Sequence, residues 1–198
     1  MFGWYDENQT RMGLAYLFLS SEGRISEADY ALFEKFGKST KGFAGWKKEV
    51  VEECENLLAS AKSAASRSKI VSEFFSTYQK SGKRSTRSGF GFFSGGELSE
   101  KNSRNILFTL ASLACLSEKQ SAAKQKLVKL WAEANCIDKS VLIEMQDTLE
   151  SEQAIDGYRK WLQAAIGTAT EQVEPVMAEL DKNLKELRDG ANALIALG

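Results

Sequence analysis

The residues best placed to do chemistry surround one turn, Glu22-Gly23-Arg24-Ile25-Ser26-Glu27-Ala28-Asp29. Glu22 and Asp29 stand on either side of Gly23, and the turn invites comparison with a calcium loop, which gathers oxygen ligands around a divalent cation. Gly23 stands where a calcium loop has its sharp turn, Ile25 follows two residues on, and Asp29 takes the last ligand position. The first and third ligand positions fall on Phe18 and Ser20, which leaves too few oxygens for a tight calcium site. A plain helix–turn–helix connection is the competing reading of the same residues. A second acidic group, Glu49, Glu52, Glu53 and Glu55, lacks a histidine or a second cluster to complete a motif and reads as a solvated helix face.

A different chemistry is written into the middle of the chain. Lys80, Lys83, Arg84 and Arg87 supply four positive charges, and no acid occurs between Ser81 and Gly96. Phe90, Phe92 and Phe93 follow, and such rings either stack on nucleic-acid bases or fill a protein partner's pocket. The string Gly89-Phe90-Gly91-Phe92-Phe93 resembles the RNP1 string of RNA-recognition motifs. Ser88 stands where that string needs a basic residue, and the flanks read as helix rather than strand. Loops longer than about 12 to 15 residues are usually functional or disordered, which singles this stretch out. A flexible or partner-docked connector, protein docking and nucleic-acid contact all stay open for it.

Composition removes most other chemistry. The chain has no histidine, so Ser-His-Asp and Cys-His nucleophiles, HExxH zinc sites and imidazole acid–base steps are all excluded. Cys54, Cys115 and Cys136 are far apart in apolar helical patterns and read as small core residues. The net charge of −1 provides no global field to recruit nucleic acid or an anionic membrane. No stretch approaches the roughly 18 apolar residues of a membrane span, and the N-terminus lacks a signal-peptide pattern. A soluble, cytoplasmic, non-enzymatic protein is expected. No cofactor is expected beyond a weakly held divalent cation.

The elements that must position these residues are helices. A single proline among 198 residues suits long helices, since proline lacks the amide donor and clashes with the preceding turn. From Asn8 to Ser21 apolar residues occur all round, which predicts a helix buried on most sides. Ser26 and Asp29 form a capping-box-like start for the next helix, with Ile25 and Tyr30 as its hydrophobic staple, and Gly37 stops it. Ser39 to Gly45 reads as a connector and Trp46 opens a third helix, with Val50, Cys54, Leu57 and Leu58 inward. Ile70, Val71, Phe74, Phe75 and Tyr78 mark a fourth. Ser99 to Leu116 repeats the all-round apolar pattern, and Ser117 with Gln120 is the expected cap of the following helix, which holds Leu127, Leu130 and Trp131. A short helix then starts at Asp138 with Leu142, Met145 and Leu149, and a separate one carries Ile155, Tyr158, Leu162 and Ile166 up to Gly167. Finally Val173, Met177, Leu180, Leu184, Leu187, Ala191 and Leu194 form a heptad seam over about three repeats. Leu180, Leu184 and Leu187 are therefore candidate partner-binding residues, through a coiled coil or a homo-oligomer. Packing back onto the chain's own bundle is the competing reading.

This gives an all-α helical bundle divided as 1–80, a first helical half; 81–96, the Gly/Ser/Phe-rich basic loop; 97–167, a second helical half; and 168–198, a C-terminal amphipathic helix. The halves echo each other, since Leu14-Ala15-Tyr16-Leu17 and Leu110-Ala111-Ser112-Leu113 share an L-A-x-L core, each before a polar turn and another helix. The Leu14-Ala15 pair, the Glu22 to Asp29 turn and Leu32-Phe33 together resemble TerB-like tellurite-resistance domains over about Thr10 to Gly37. Glu22 stands where that family has Asp, and Ser117-Glu118-Lys119-Gln120 in the second half has no glycine. The resemblance implies an all-helical domain of two similar halves, linked to bacterial tellurite, colicin and phage resistance, with acidic metal ligands near the turns, for which Glu22 and Asp29 are the matching candidates. The function expected is an adaptor or accessory subunit of a stress or phage-resistance system that docks a protein partner. A nucleic-acid-binding accessory factor and a divalent-metal-binding protein are the alternatives.

Overall fold

A helix without a polar face must be surrounded, and the chain contains two. The computed structural model describes residues 6–77, 98–117, 121–165 and 170–197. Among them the protein is all-helical, with eight helices and no strand. Helix α1, Glu7–Leu19, is capped by the Asp6 carboxylate, which accepts from the Gln9 amide at 2.8 Å. Every residue from Met12 to Leu19 is buried. Helix α5, Glu100–Leu116, capped by Ser99, is buried almost as completely. Its inward Thr109 and Ser112 hydroxyls donate back to the Asn105 and Phe108 carbonyls, so these two hydroxyls are satisfied within the helix.

Each central helix is wrapped by the helices that follow it. Helices α2 (Glu27–Lys38), α3 (Phe43–Leu58) and α4 (Ala64–Thr77) pack on α1, while α6 (Ala122–Ala134), α7 (Lys139–Ala165) and α8 (Thr170–Ala196) pack on α5. Helices α1 and α5 touch, and α4 crosses over to α6, so one hydrophobic core runs through the whole. Edge-to-face rings tie the first group together, with Tyr16 to Phe33 and Phe33 to Phe43 both at 5.4 Å, and Phe43 to Trp46 at 5.2 Å. Phe75 meets Trp131 at 6.0 Å across the crossing of α4 and α6. The Trp131 indole donates to the Ser103 carbonyl at 3.0 Å, and the Ser103 hydroxyl donates to Asn135 at 3.3 Å, which pins α6 to α5.

Ser26 caps α2 as expected, accepting from the Asp29 amide at 3.1 Å. Gly37 does not end that helix. It lies within the last turn, where a Cβ would run into the Phe43 ring, so glycine is there for close packing. The connector is correspondingly shorter than expected. Gly42, at φ 76°, turns the chain directly into α3, which starts at Phe43 rather than at Trp46. The cap of α6 is Ser121 and not Ser117, which closes α5 instead. The two helices expected after Asp138 are one. Nothing between Leu149 and Ile155 breaks a helix, and α7 runs unbroken for 27 residues, roughly 40 Å. Only its first half joins the main core, through Leu142, Met145 and Leu149. The second half pairs antiparallel with α8, held by Leu162 and by Arg159–Asp181 and Arg188–Glu152 contacts of 2.9 and 3.3 Å. No described helix is long and apolar enough to cross a membrane.

The cysteines also divide. Cys54 is core, Cys115 is half-buried and packs against the core, and Cys136 is exposed, so the last departs from the expected role. Cys136 sits at φ 53° just past α6. The Ile137 amide bonds back to the Ala132 carbonyl at 2.9 Å and the Cys136 amide to Glu133 at 3.2 Å. That is the Schellman ending, whose left-handed position normally holds glycine. Replacing Cys136 with Gly should therefore raise unfolding stability by about 1 kcal/mol, read from urea denaturation. An unchanged or lower midpoint would mean that the thiol makes a compensating contact.

Candidate functional site

The turn between α1 and α2 is where distant parts of the sequence converge. It begins with two buried serines whose hydroxyls donate to α1 carbonyls, Ser20 to Tyr16 and Ser21 to Phe18, both at 2.7 Å. The Gly23 carbonyl then accepts from the Arg67 guanidinium of α4 at 3.0 Å. Arg67 also reaches Glu55 of α3 at 3.5 Å, and Glu55 accepts from the Tyr16 hydroxyl at 2.7 Å. Glu55 is thus tied to Tyr16 and Arg67 at the edge of the core, with its side chain still 44% exposed. Glu52, by contrast, pairs in solvent with Lys48.

Both candidate metal ligands are engaged by α6. Glu22 accepts from the Ser121 hydroxyl at 2.6 Å, while that same oxygen caps α6 by accepting from the Lys124 amide. Asp29 faces the Lys124 ammonium at 3.4 Å, with side chains only 9% and 3% exposed. A cation seated between these carboxylates would have to displace a buried ammonium. Of the other calcium-loop positions, Phe18 is wholly buried and the Ser20 hydroxyl is directed at its own helix. Among the described residues no three His, Cys, Asp or Glu side chains are grouped to hold a metal. The described thiols are poor nucleophiles where they are enclosed: burial first, then Glu53 and Glu55, push the Cys54 thiol well up. Burial, then the Glu55 hydrogen bond, likewise hold the Tyr16 phenol far above its usual range. What this arrangement does is hold protons and charges in place across a helix junction.

The remaining expected sites fall elsewhere. Phe90, Phe92 and Phe93, with Lys80, Lys83, Arg84 and Arg87, lie outside the described residues. The heptad seam of α8 turns toward α7 and α5: Leu184 and Ala191 are buried there and Leu180 and Leu187 are half-buried. That is the packing back onto the chain's own bundle, the competing reading of the seam. Leu187, Gly190 and Leu194 floor an open groove of about 730 Å³ between α7 and α8, rimmed by Glu144, Asp147 and Glu186. Sequence reasoning missed a different surface. Tyr158 and Trp161, expected or unassigned as core, are 46% and 60% exposed and stack at 5.6 Å. Ala154, Gly157 and Trp161, one register away from Ile155 and Leu162, were the available signal.

The buried pair should behave as a unit. Lys124→Met alone should cost about 3–5 kcal/mol in urea unfolding by stranding the Asp29 carboxylate, whereas Lys124→Met with Asp29→Leu should recover most of that loss. Equal losses in the single and double variants would mean the two charges are not coupled. The Tyr16 phenol is held protonated by the fold, so its folded pKa lies above the unfolded value of about 10. Its contribution is full below about pH 10 and is lost as pH rises beyond it. Tyr16→Phe should lower neutral stability by about 1 kcal/mol and flatten the decline in stability above about pH 10. The same alkaline slope in the variant would place the titration on other groups.

No family model, curated protein or solved structure matches this chain, and the site is therefore read from its own geometry.

Proposed function

We propose that this protein is a non-enzymatic helical adaptor or accessory subunit that works by docking a protein partner. The observation that carries this reading is a division of labour among its side chains. The carboxylates, ammonium and phenol around the α1–α2 turn are paired with one another, while large apolar groups such as Trp161 are left in water. Internal pairing favours a structural role for the acidic turn over metal-assisted chemistry, and exposed aromatic surface is typical of docking proteins. The Phe90, Phe92 and Phe93 group extends the same character in the sequence. The TerB-like resemblance over about Thr10 to Gly37 supplies the setting of a bacterial stress or phage-resistance system, and the proposal of that setting rests on it alone.

A second reading draws on Lys80, Lys83, Arg84 and Arg87, four cations in a stretch whose Ser81 to Gly96 portion has no acid. It makes the protein a nucleic-acid-binding accessory factor. Pull-down from host lysate, with and without nuclease, separates the two. A protein retained after nuclease, and lost when Phe90, Phe92 and Phe93 are all changed to Ser, is the expected result. Recovery of nucleic acid instead, with affinity falling steeply as salt rises and abolished by neutralising Lys83, Arg84 and Arg87, would replace the adaptor reading with the second.

A further inference from the structure

We propose that the exposed face of α7 around Gly157 docks a second copy of this chain, as a two-fold antiparallel pair of α7 helices. In the second half of α7 the exposed residues include Ala154, Gly157, Tyr158, Trp161 and Ala164, an apolar stripe at three- and four-residue spacing, with exposed Ser151, Lys160 and Gln163 outside it. It lies about one residue's rotation, roughly 100°, from the seam of Leu162 and Arg159 that faces α8. Among the described residues, nothing covers that apolar side of the helix. Trp161 and Tyr158, stacked on each other, leave about 200 Å² of ring surface in water.

The stripe is complementary to itself. An antiparallel pairing centred between Gly157 and Tyr158 brings Trp161 of each copy level with Ala154 of the other, so the largest side chain meets one of the smallest. Gly157 meets Gly157 at the axis. Within one copy a Cβ at Gly157 would meet nothing within 4 Å, so internal packing does not require a residue that costs about 1 kcal/mol relative to Ala in a helix. Close approach of a second helix backbone does require it. The charges agree with this direction. Lys160 comes beside Asp156 of the other copy, and no like charges face each other, whereas a parallel pairing would set Glu150 on Glu150 and Lys160 on Lys160. Two copies contribute about 400 Å² of aromatic surface at the centre of the contact, and Val176 of α8 adds exposed apolar surface. Specific interfaces at the small end total about 1,200 Å², of which the aromatic surface would supply about a third, so dissociation in the micromolar range is expected.

Sedimentation velocity of the full chain across micromolar concentrations should give a monomer–dimer equilibrium. Trp161→Glu should weaken it by about thirtyfold or more, as loss of a central aromatic anchor does, with the helical circular dichroism unchanged because the side chain is mostly exposed. A second arm uses a Cys136→Ser background. Gly157→Cys should form a disulfide-linked dimer under mild oxidation, and Ile143→Cys, exposed on the same helix but away from the axis, should not. A monomer at all concentrations, a dimer indifferent to Trp161→Glu, or equal crosslinking from positions 143 and 157 would each overturn the proposal.

Discussion

The absence of a polar face on α1 is the constraint from which the rest of the architecture follows. Met12 through Leu19 can be hidden from water only if helices arrive from every direction, and α2, α3, α4 and α5 do so. Helix α5 makes the same demand and is answered by α6, α7 and α8 as well as by α1. Stripping a fully buried Phe such as Phe18 or Phe33 of its ring costs about 3–5 kcal/mol, a large part of the roughly 5–15 kcal/mol that keeps a domain folded. The polar contacts then select among arrangements that such hydrophobic packing alone would allow.

That selection is concentrated at the α1–α2 turn. Lys124 and Asp29 are 95 residues apart in sequence, and their contact fixes how α6 sits against α2. The pair is enclosed, so its net contribution to stability is small compared with the penalty of leaving either charge alone. Its physical effect is to make one docking register far better than its neighbours. The Glu22 contact to Ser121 adds direction, because the serine that receives Glu22 is also the cap that starts α6.

The helices themselves were legible because their signals are local. All-round apolarity marked α1 and α5, and Ser26 marked the start of α2 through a cap that spans three residues. Contacts between distant segments were not legible. Nothing in the spacing of Glu22 and Asp29 distinguishes a pair of metal ligands from a pair of carboxylates answered by Ser121 and Lys124. The carboxylate of Glu55 looked like its solvated neighbours until Tyr16 and Arg67 were placed around it. Cys136 was read as core because its neighbours are apolar, yet the ending of α6 turns it outward. The continuity of α7 was not legible because its apolar stripe changes face between Leu149 and Ile155, as it does in a helix with one end outside the core.

The continuity of α7 has a mechanical consequence. A helix that is anchored at Leu149 and continues past Trp161 without a joint acts as a lever with its fulcrum in the hydrophobic core. A load applied at the outer end cannot be absorbed by a hinge within the helix. It is transmitted as a tilt to Met145 and Leu142, and through them to α5, which joins events at the surface to the packing at the centre of the molecule.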